Sequence, residues 1–207
     1  MDLQEMTLGQ VQTNCYLIGN EKTKEAVVID PADEGAYIAK RLRSLGYELK
    51  AILLTHGHFD HITGAEELRS LTGAEIYAYE GEKELLADPK LNCSSIAGHT
   101  VSLIPDKFFK DKDQLELAGF TFEVLFTPGH TSGSVCFYLK SEGILFSGDT
   151  LFQESVGRSD LPTGNGRRLV KSVNERLLPL GEDILVYPGH GEDTTIGYEK
   201  RYNYYLK

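Results

Sequence analysis

A chain of 207 residues with 41% apolar side chains can bury one good-sized core but is short for two, so residues 1–207 are expected to form a single domain. A net charge of -10 and a pI near 5.1 exclude nucleic acid as the natural partner, because phosphate binding depends on Lys and Arg neutralising the backbone. Cys15, Cys93 and Cys136 form no C-x-x-C pair, which excludes a disulfide framework or a zinc ribbon and fits a reduced, cytoplasmic compartment.

The acidic start Met1-Asp2-Leu3-Gln4-Glu5 leads into no apolar stretch of signal-peptide length, and nothing approaches the length of a membrane span, so no membrane partner is expected. Apolar runs at residues 15–18 and 25–29, separated by Gly19-Asn20-Glu21-Lys22, predict a β-hairpin. Pro31 and Asp33 close it and open a helix over residues 33–45, with Ile38, Leu42 and Leu45 on one face and Gly46 just past its end. Residues 50–55 predict a buried strand that runs directly into Thr55-His56-Gly57-His58-Phe59-Asp60-His61. A helix over residues 63–71 stops before Gly73, a strand covers 74–78, and a short acidic helix follows near 80–87. Residues 88–113 lack periodicity, and so long an irregular stretch inside a compact chain points to function.

Two hairpins come next, one pairing residues 115–117 with 120–126 across Ala118-Gly119, the other pairing 134–139 with 144–146 across Ser141-Glu142-Gly143. A loop over residues 151–166 leads to a helix over 167–178 that turns Leu169, Val170, Val173 and Leu177 inward. A strand over 183–187 and a helix over 196–206, with Tyr198, Tyr202 and Tyr205 as its core face, complete the chain. Two groups of strands, each closed by helices, predict an α/β sandwich: two sheets packed face to face with helices outside.

Four of the apolar runs end alike. Ile52-Leu53-Leu54 runs into His56, Val124-Leu125-Phe126 into Thr127-Pro128-Gly129-His130, Ile144-Leu145-Phe146 into Ser147-Gly148-Asp149, and Leu185-Val186-Tyr187 into Pro188-Gly189-His190. Side chains at adjacent strand ends can meet at one rim of the sheets, and a glycine before His130, Asp149 and His190 eases the backbone there. The candidate metal ligands are therefore His56, His58, Asp60, His61, His130, Asp149 and His190. That set can serve two divalent ions if one carboxylate bridges. Imidazole with carboxylate suits zinc, iron or manganese, with zinc the first expectation. His99 follows no strand end and is expected to be an ordinary loop side chain.

His56-x-His58-x-Asp60-His61 followed by His130, Asp149 and His190 resembles the metallo-β-lactamase superfamily, and within it the short hydroxyacylglutathione hydrolase (glyoxalase II)-like branch. Asn14-Cys15-Tyr16-Leu17, Val28-Ile29-Asp30-Pro31, Ser147-Gly148-Asp149-Thr150 and Pro188-Gly189-His190-Gly191 extend the likeness over nearly the whole chain. The resemblance implies an αββα sandwich with two mixed sheets. It places His56, His58 and His130 on one metal, Asp60, His61 and His190 on the second, and Asp149 between them. It further implies hydrolysis of a small-molecule thioester or ester, with Asp60 also orienting the nucleophile or taking up its proton. β-Lactam hydrolysis is not expected.

Gly157-Arg158-Ser159-Asp160 resembles a motif of the persulfide dioxygenases in the same superfamily, which use a single iron. That sets an alternative reading, and a metal-binding module without turnover is another. Arg158 could anchor an anionic substrate end, or could form an ion pair with Asp160. Phe152, Phe108 and Phe109 are candidates for an apolar substrate wall.

Overall fold

The computed structural model describes residues 1–98 and 100–206, so His99 lies outside the described residues. One sheet runs in spatial order through six strands: β1 (Asp2–Leu8), β2 (Thr13–Asn20), β3 (Glu25–Ile29), β4 (Glu48–Leu53), β5 (Glu75–Tyr79) and β6 (Lys107–Phe109). Strands β1 to β3 pair antiparallel and β3 to β6 parallel. The second sheet also has six strands. Here β7 (Gln114–Leu117), β8 (Phe120–Phe126), β9 (Val135–Leu139) and β10 (Ile144–Gly148) form an antiparallel meander. Beyond a small hairpin of β11 (Leu151–Phe152) and β12 (Ser155–Val156), β13 (Leu185–Pro188) joins β10 in parallel and β14 (Thr194–Thr195) closes the edge.

Side-chain alternation explains why these sheets stack. In β2, β3 and β4, Tyr16, Ile18, Val27, Ile29, Ala51 and Leu53 face Val124, Val135, Phe137 and Phe146 of the other sheet. The intervening Cys15, Leu17, Ala26, Val28 and Ile52 face Ile38, Ala39 and Leu42 of α1 (Gly35–Leu45). The same outer layer receives Ile62 of the helical turn α2 (Phe59–Ile62) and Leu68 of α3 (Ala65–Thr72). A strand covered on both faces reads as an unbroken apolar run, which is why 50–55 was legible and why both sheets need helices outside. On the far side, Cys136, Tyr138, Leu145 and Val186 pack against Val173, Leu177 and Ile196. These come from the end of α5 (Gly166–Ser172), which continues as a π-helical turn over Val173–Leu177, and from α6 (Ile196–Tyr202). The α/β sandwich is thus observed, with both sheets mixed. Among the described residues no helix is long and apolar enough to cross a membrane, and all three cysteines are buried and free.

Several expectations need correction. Strand β1 was not anticipated, because it lies at a sheet edge and buries only Met6 and Leu8, leaving no apolar run to read. The acidic segment splits into a 3₁₀ turn (Glu80–Glu82) and α4 (Lys83–Ala87). Residues 88–113 are not structureless: they hold a 3₁₀ turn (Ser94–Ile96) and β6. Strand alternation in β6 buries Phe109 against Phe137, ring centroids 5.5 Å apart, and leaves Phe108 43% exposed. Phe109 therefore belongs to the inter-sheet core. The tyrosine face of the last helix is also wrong. α6 buries Ile196, Gly197 and Glu199, while Tyr202 and Tyr205 are 58% and 53% exposed. The α-helix stops at Tyr202, so Tyr205 is out of register with the others. Tyr198 instead donates its hydroxyl to Glu154 and packs on Tyr202.

Candidate metal centre

Four loops leave the same rim of the two sheets. β4 delivers His56, His58, Asp60 and His61; the segment between β8 and β9 delivers His130; β10 delivers Asp149; and β13 delivers His190. The parallel pairing of β10 with β13 puts the last two side by side. All seven anticipated residues come together. His58 Nδ1 lies 2.8 Å from His130 Nε2, which is 3.1 Å from His56 Nε2. Asp60 Oδ2 is 3.2 Å from His190 Nε2 and 3.7 Å from His61 Nε2. Asp149 reaches both groups: Oδ1 is 3.3 Å from His61 Nε2, and Oδ2 is 3.4 Å from His130 Nε2 and 3.6 Å from His190 Nε2.

Three triads have potential ligand atoms within 4.8 Å of one another: His56–His58–His130, His56–His61–Asp149 and Asp60–His61–His190. Among the described residues, His58 Nε2, His61 Nε2 and Asp149 Oδ1 are buried polar atoms without a hydrogen-bond partner. Such atoms are costly unless something else satisfies them. The facing pair His61 Nε2 and Asp149 Oδ1, with imidazole and carboxylate as the whole donor set, fits a divalent cation.

Charge and burial act differently on the individual groups. Burial pushes the His56 and His58 imidazoles well below their ordinary pKa, the neutral form a metal ligand needs. Burial also disfavours ionised Asp60 and Asp149. The histidines around them outweigh it and hold both carboxyls below the usual range. For His61, burial is outweighed by Asp149, Asp60 and Asp30, and its pKa lies well above the ordinary value.

The rings are held from behind. His61 Nδ1 is 2.8 Å from Asp30 Oδ2, and Asp30 also accepts the Thr55 N–H at 2.8 Å and the Thr55 hydroxyl at 2.6 Å. Thr55 Oγ1 in turn sits 3.1 Å from His56 Nδ1. His130 Nδ1 is 2.7 Å from the Arg158 carbonyl oxygen, and the Thr13 hydroxyl donates to Asp60 Oδ2 at 3.1 Å. Contacts of this kind fix which ring nitrogen faces the centre. Asp30 was missed as a site residue, although the signal was present: it ends an apolar strand just as the ligands end theirs.

Gly148 has φ 48°, a left-handed turn that a side chain resists, and this aims Asp149 inward. Gly189 serves differently. A Cβ there would lie 2.2 Å from Asp149 Oδ1 and 2.7 Å from His61 Cε1. Gly189→Ala is therefore expected to cost about 1–3 kcal/mol by overcrowding and to weaken metal uptake, both measurable by denaturant titration with and without metal; wild-type values in both would refute the crowding.

A cavity of about 320 Å³ opens over the cluster. His58, Asp60, His130, Asp149 and His190 form its floor, and Val11, Phe59, Cys93, Phe152 and Leu161 its apolar wall. Phe152 stands edge-on to His190 with centroids 6.1 Å apart. Phe108 and Phe109 do not line it. Arg158 lines it too, but its guanidinium binds Asp160 through two 2.8 Å hydrogen bonds, so the ion pair is formed.

A family model described as the metallo-beta-lactamase superfamily matches residues 8–190. A curated relative, hydroxyacylglutathione hydrolase GloC of Haemophilus influenzae, is 37% identical over 100% of this chain and 98% of its own length. Among solved structures, the BLEG-1 B3 metallo-beta-lactamase is 39% identical with TM-score 0.94 and 99% of both chains covered. TTHA1623, solved in a di-iron-bound form, is 36% identical with TM-score 0.88 over 98% of this chain and 100% of that one. The matched span carries every one of the seven converging side chains, and the chain belongs to the metallo-beta-lactamase superfamily as a metal-dependent hydrolase.

Proposed function

We propose that the protein is a dinuclear metallohydrolase of the hydroxyacylglutathione hydrolase type, cleaving thioesters of small molecules. The observation that carries the reading is Asp149, a single carboxylate, 10% exposed, whose two oxygens face His61 on one side and His130 and His190 on the other. On this reading His56, His58 and His130 would hold one ion and Asp60, His61 and His190 the other, with Asp149 within reach of both groups. Zinc is the proposed resident metal, supported by a donor set of imidazole and carboxylate without thiolate; the same set would accept iron or manganese. Bound divalent metal would supply Lewis acidity, lowering the pKa of water and polarising the carbonyl to be attacked.

The chain's own residues do the rest. Asp60 lines the cavity floor with its carboxylate held ionised and tied to the Thr13 hydroxyl, placing a proton acceptor beside the substrate. Asp30 and the Arg158 carbonyl keep His61 and His130 from rotating away. Phe152 and its apolar neighbours hold the acyl or thiol portion and exclude water from one side. Arg158 would meet an anionic end of the substrate at the cavity mouth, exchanging one of its bonds to Asp160.

The test is a substrate panel with protein of verified metal content: S-lactoylglutathione, an aliphatic acyl thioester, an aryl ester and a β-lactam. Thioester kcat/KM should exceed β-lactam kcat/KM by at least about a hundredfold, which corresponds to roughly 3 kcal/mol of transition-state discrimination. Absence of thioester hydrolysis by fully metallated protein rejects the reading. One iron per chain with oxygen consumption on glutathione persulfide would instead establish the dioxygenase alternative.

A further inference from the structure

Glu82 lies in the acidic run Glu80-Gly81-Glu82-Lys83-Glu84, which in sequence looks like a solvated turn of helix, yet it is 1% exposed. Its two oxygens point at two different loops. Oε2 accepts the Gly57 N–H at 2.8 Å, while Oε1 accepts the Gly133 N–H at 2.8 Å and the Thr131 hydroxyl at 2.9 Å. Gly57 stands between His56 and His58, and Thr131 directly follows His130. The strands carrying these loops lie in different sheets, and the Val135 N–H donates across to the Thr55 carbonyl at 2.9 Å. Beyond that bond Glu82 spans the two loops.

We infer that Glu82 is a positioning residue for the His56–His58–His130 group, its carboxylate clamping the two loops and so setting the separation of the three imidazoles. The inference rests on the metal assignment proposed above. The 131–134 turn is already rigid, since Ser134 Oγ accepts the Thr131 N–H at 3.0 Å, so the clamp moves His130 with that turn as a unit. A carboxylate is needed because donors approach both oxygens. A glutamine would fit the space but would aim its own N–H₂ at one of the backbone N–H groups. Burial pushes the carboxyl up to about 7 even with its three donors in place, so the group is kept against a desolvation penalty that a space-filling apolar side chain would avoid. Glu199 provides the contrast. It is equally buried and accepts from the Thr194 hydroxyl, the Glu154 N–H and Asn203 Nδ2, but these lie four or more residues from His190 and Asp149, whereas Gly57 and Thr131 adjoin His56, His58 and His130.

The experiment measures Zn²⁺ affinity by competition with a chromophoric chelator, and the thermal midpoint of the metal-free protein, for the parent, Glu82→Gln, Thr131→Val and Glu199→Gln. Glu82→Gln should weaken binding of one of the ions by about 10–100-fold, the range for residues that orient metal ligands. Thr131→Val, which keeps the carboxylate and removes one donor, should weaken it several-fold and carries the test if Glu82→Gln does not fold. Glu199→Gln should lower the metal-free midpoint and leave Zn²⁺ affinity at the parent value. Parent affinity in Glu82→Gln, or in Thr131→Val should the first variant not fold, overturns the inference while leaving the metal assignment standing. A parent that takes up no Zn²⁺ overturns the assignment and the inference with it.

Discussion

On the proposed function, Asp149→Asn is expected to reduce thioester hydrolysis by more than about a hundredfold, beyond the 10–100-fold that follows loss of a residue merely orienting a ligand. The substitution preserves volume and removes one candidate oxygen ligand and the negative charge. In the parent, among the described residues, that is the only carboxylate paired with His61, His130 and His190 together, at 3.3, 3.4 and 3.6 Å. Losing it should lower the metal content to one ion or fewer per chain, read by elemental analysis, while the circular dichroism spectrum stays that of the parent. Activity within tenfold of the parent at full metal occupancy would show that Asp149 does not bridge.

Metal removal is expected to produce the largest change in stability. A ligand present at a thousandfold excess over its Kd stabilises the folded state by about 4 kcal/mol, and in a chain of this size each kcal/mol moves the thermal midpoint by about 2–4 °C, so prolonged chelation should lower the midpoint by roughly 8–16 °C. The effect arises because the seven side chains converge only in the folded protein, where His61 Nε2 and Asp149 Oδ1 are buried without hydrogen-bond partners of their own. The difference should shrink as pH falls, since protons compete with metal for imidazole and carboxylate. A midpoint unchanged by chelation, with metal loss verified, would mean that the cluster is satisfied without an ion.

The neighbours differ in what their descriptions say they do. GloC is described as a hydroxyacylglutathione hydrolase and BLEG-1 as a B3 metallo-beta-lactamase, at 37% and 39% identity. Overall likeness at this level therefore does not select a substrate. What this chain adds is local: an apolar wall of Val11, Phe59, Phe152 and Leu161 over the histidine–aspartate floor, with Arg158 at its edge already committed to Asp160.

The candidate ligand set was legible in the amino-acid sequence because metal chemistry demands particular side chains, and because each follows an apolar strand that a period of two or an unbroken run betrays. Strands 25–29, 120–126, 134–139 and 144–146 could be read for the same reason. Strand β1 could not, since an edge strand buries too little to leave a pattern. Tyr202 and Tyr205 misled because helical spacing does not reveal where a helix stops. Glu82 lay beyond any reading of local pattern, and Asp30 showed only its place at a strand end: whether an acid is solvated or buried depends on which loops, 25 to 51 residues away along the chain, fold around it. Residue chemistry along the chain thus determined what could bind metal. Tertiary packing alone decided which buried carboxylates hold those ligands in place, because that role depends on distances that no sequence separation encodes.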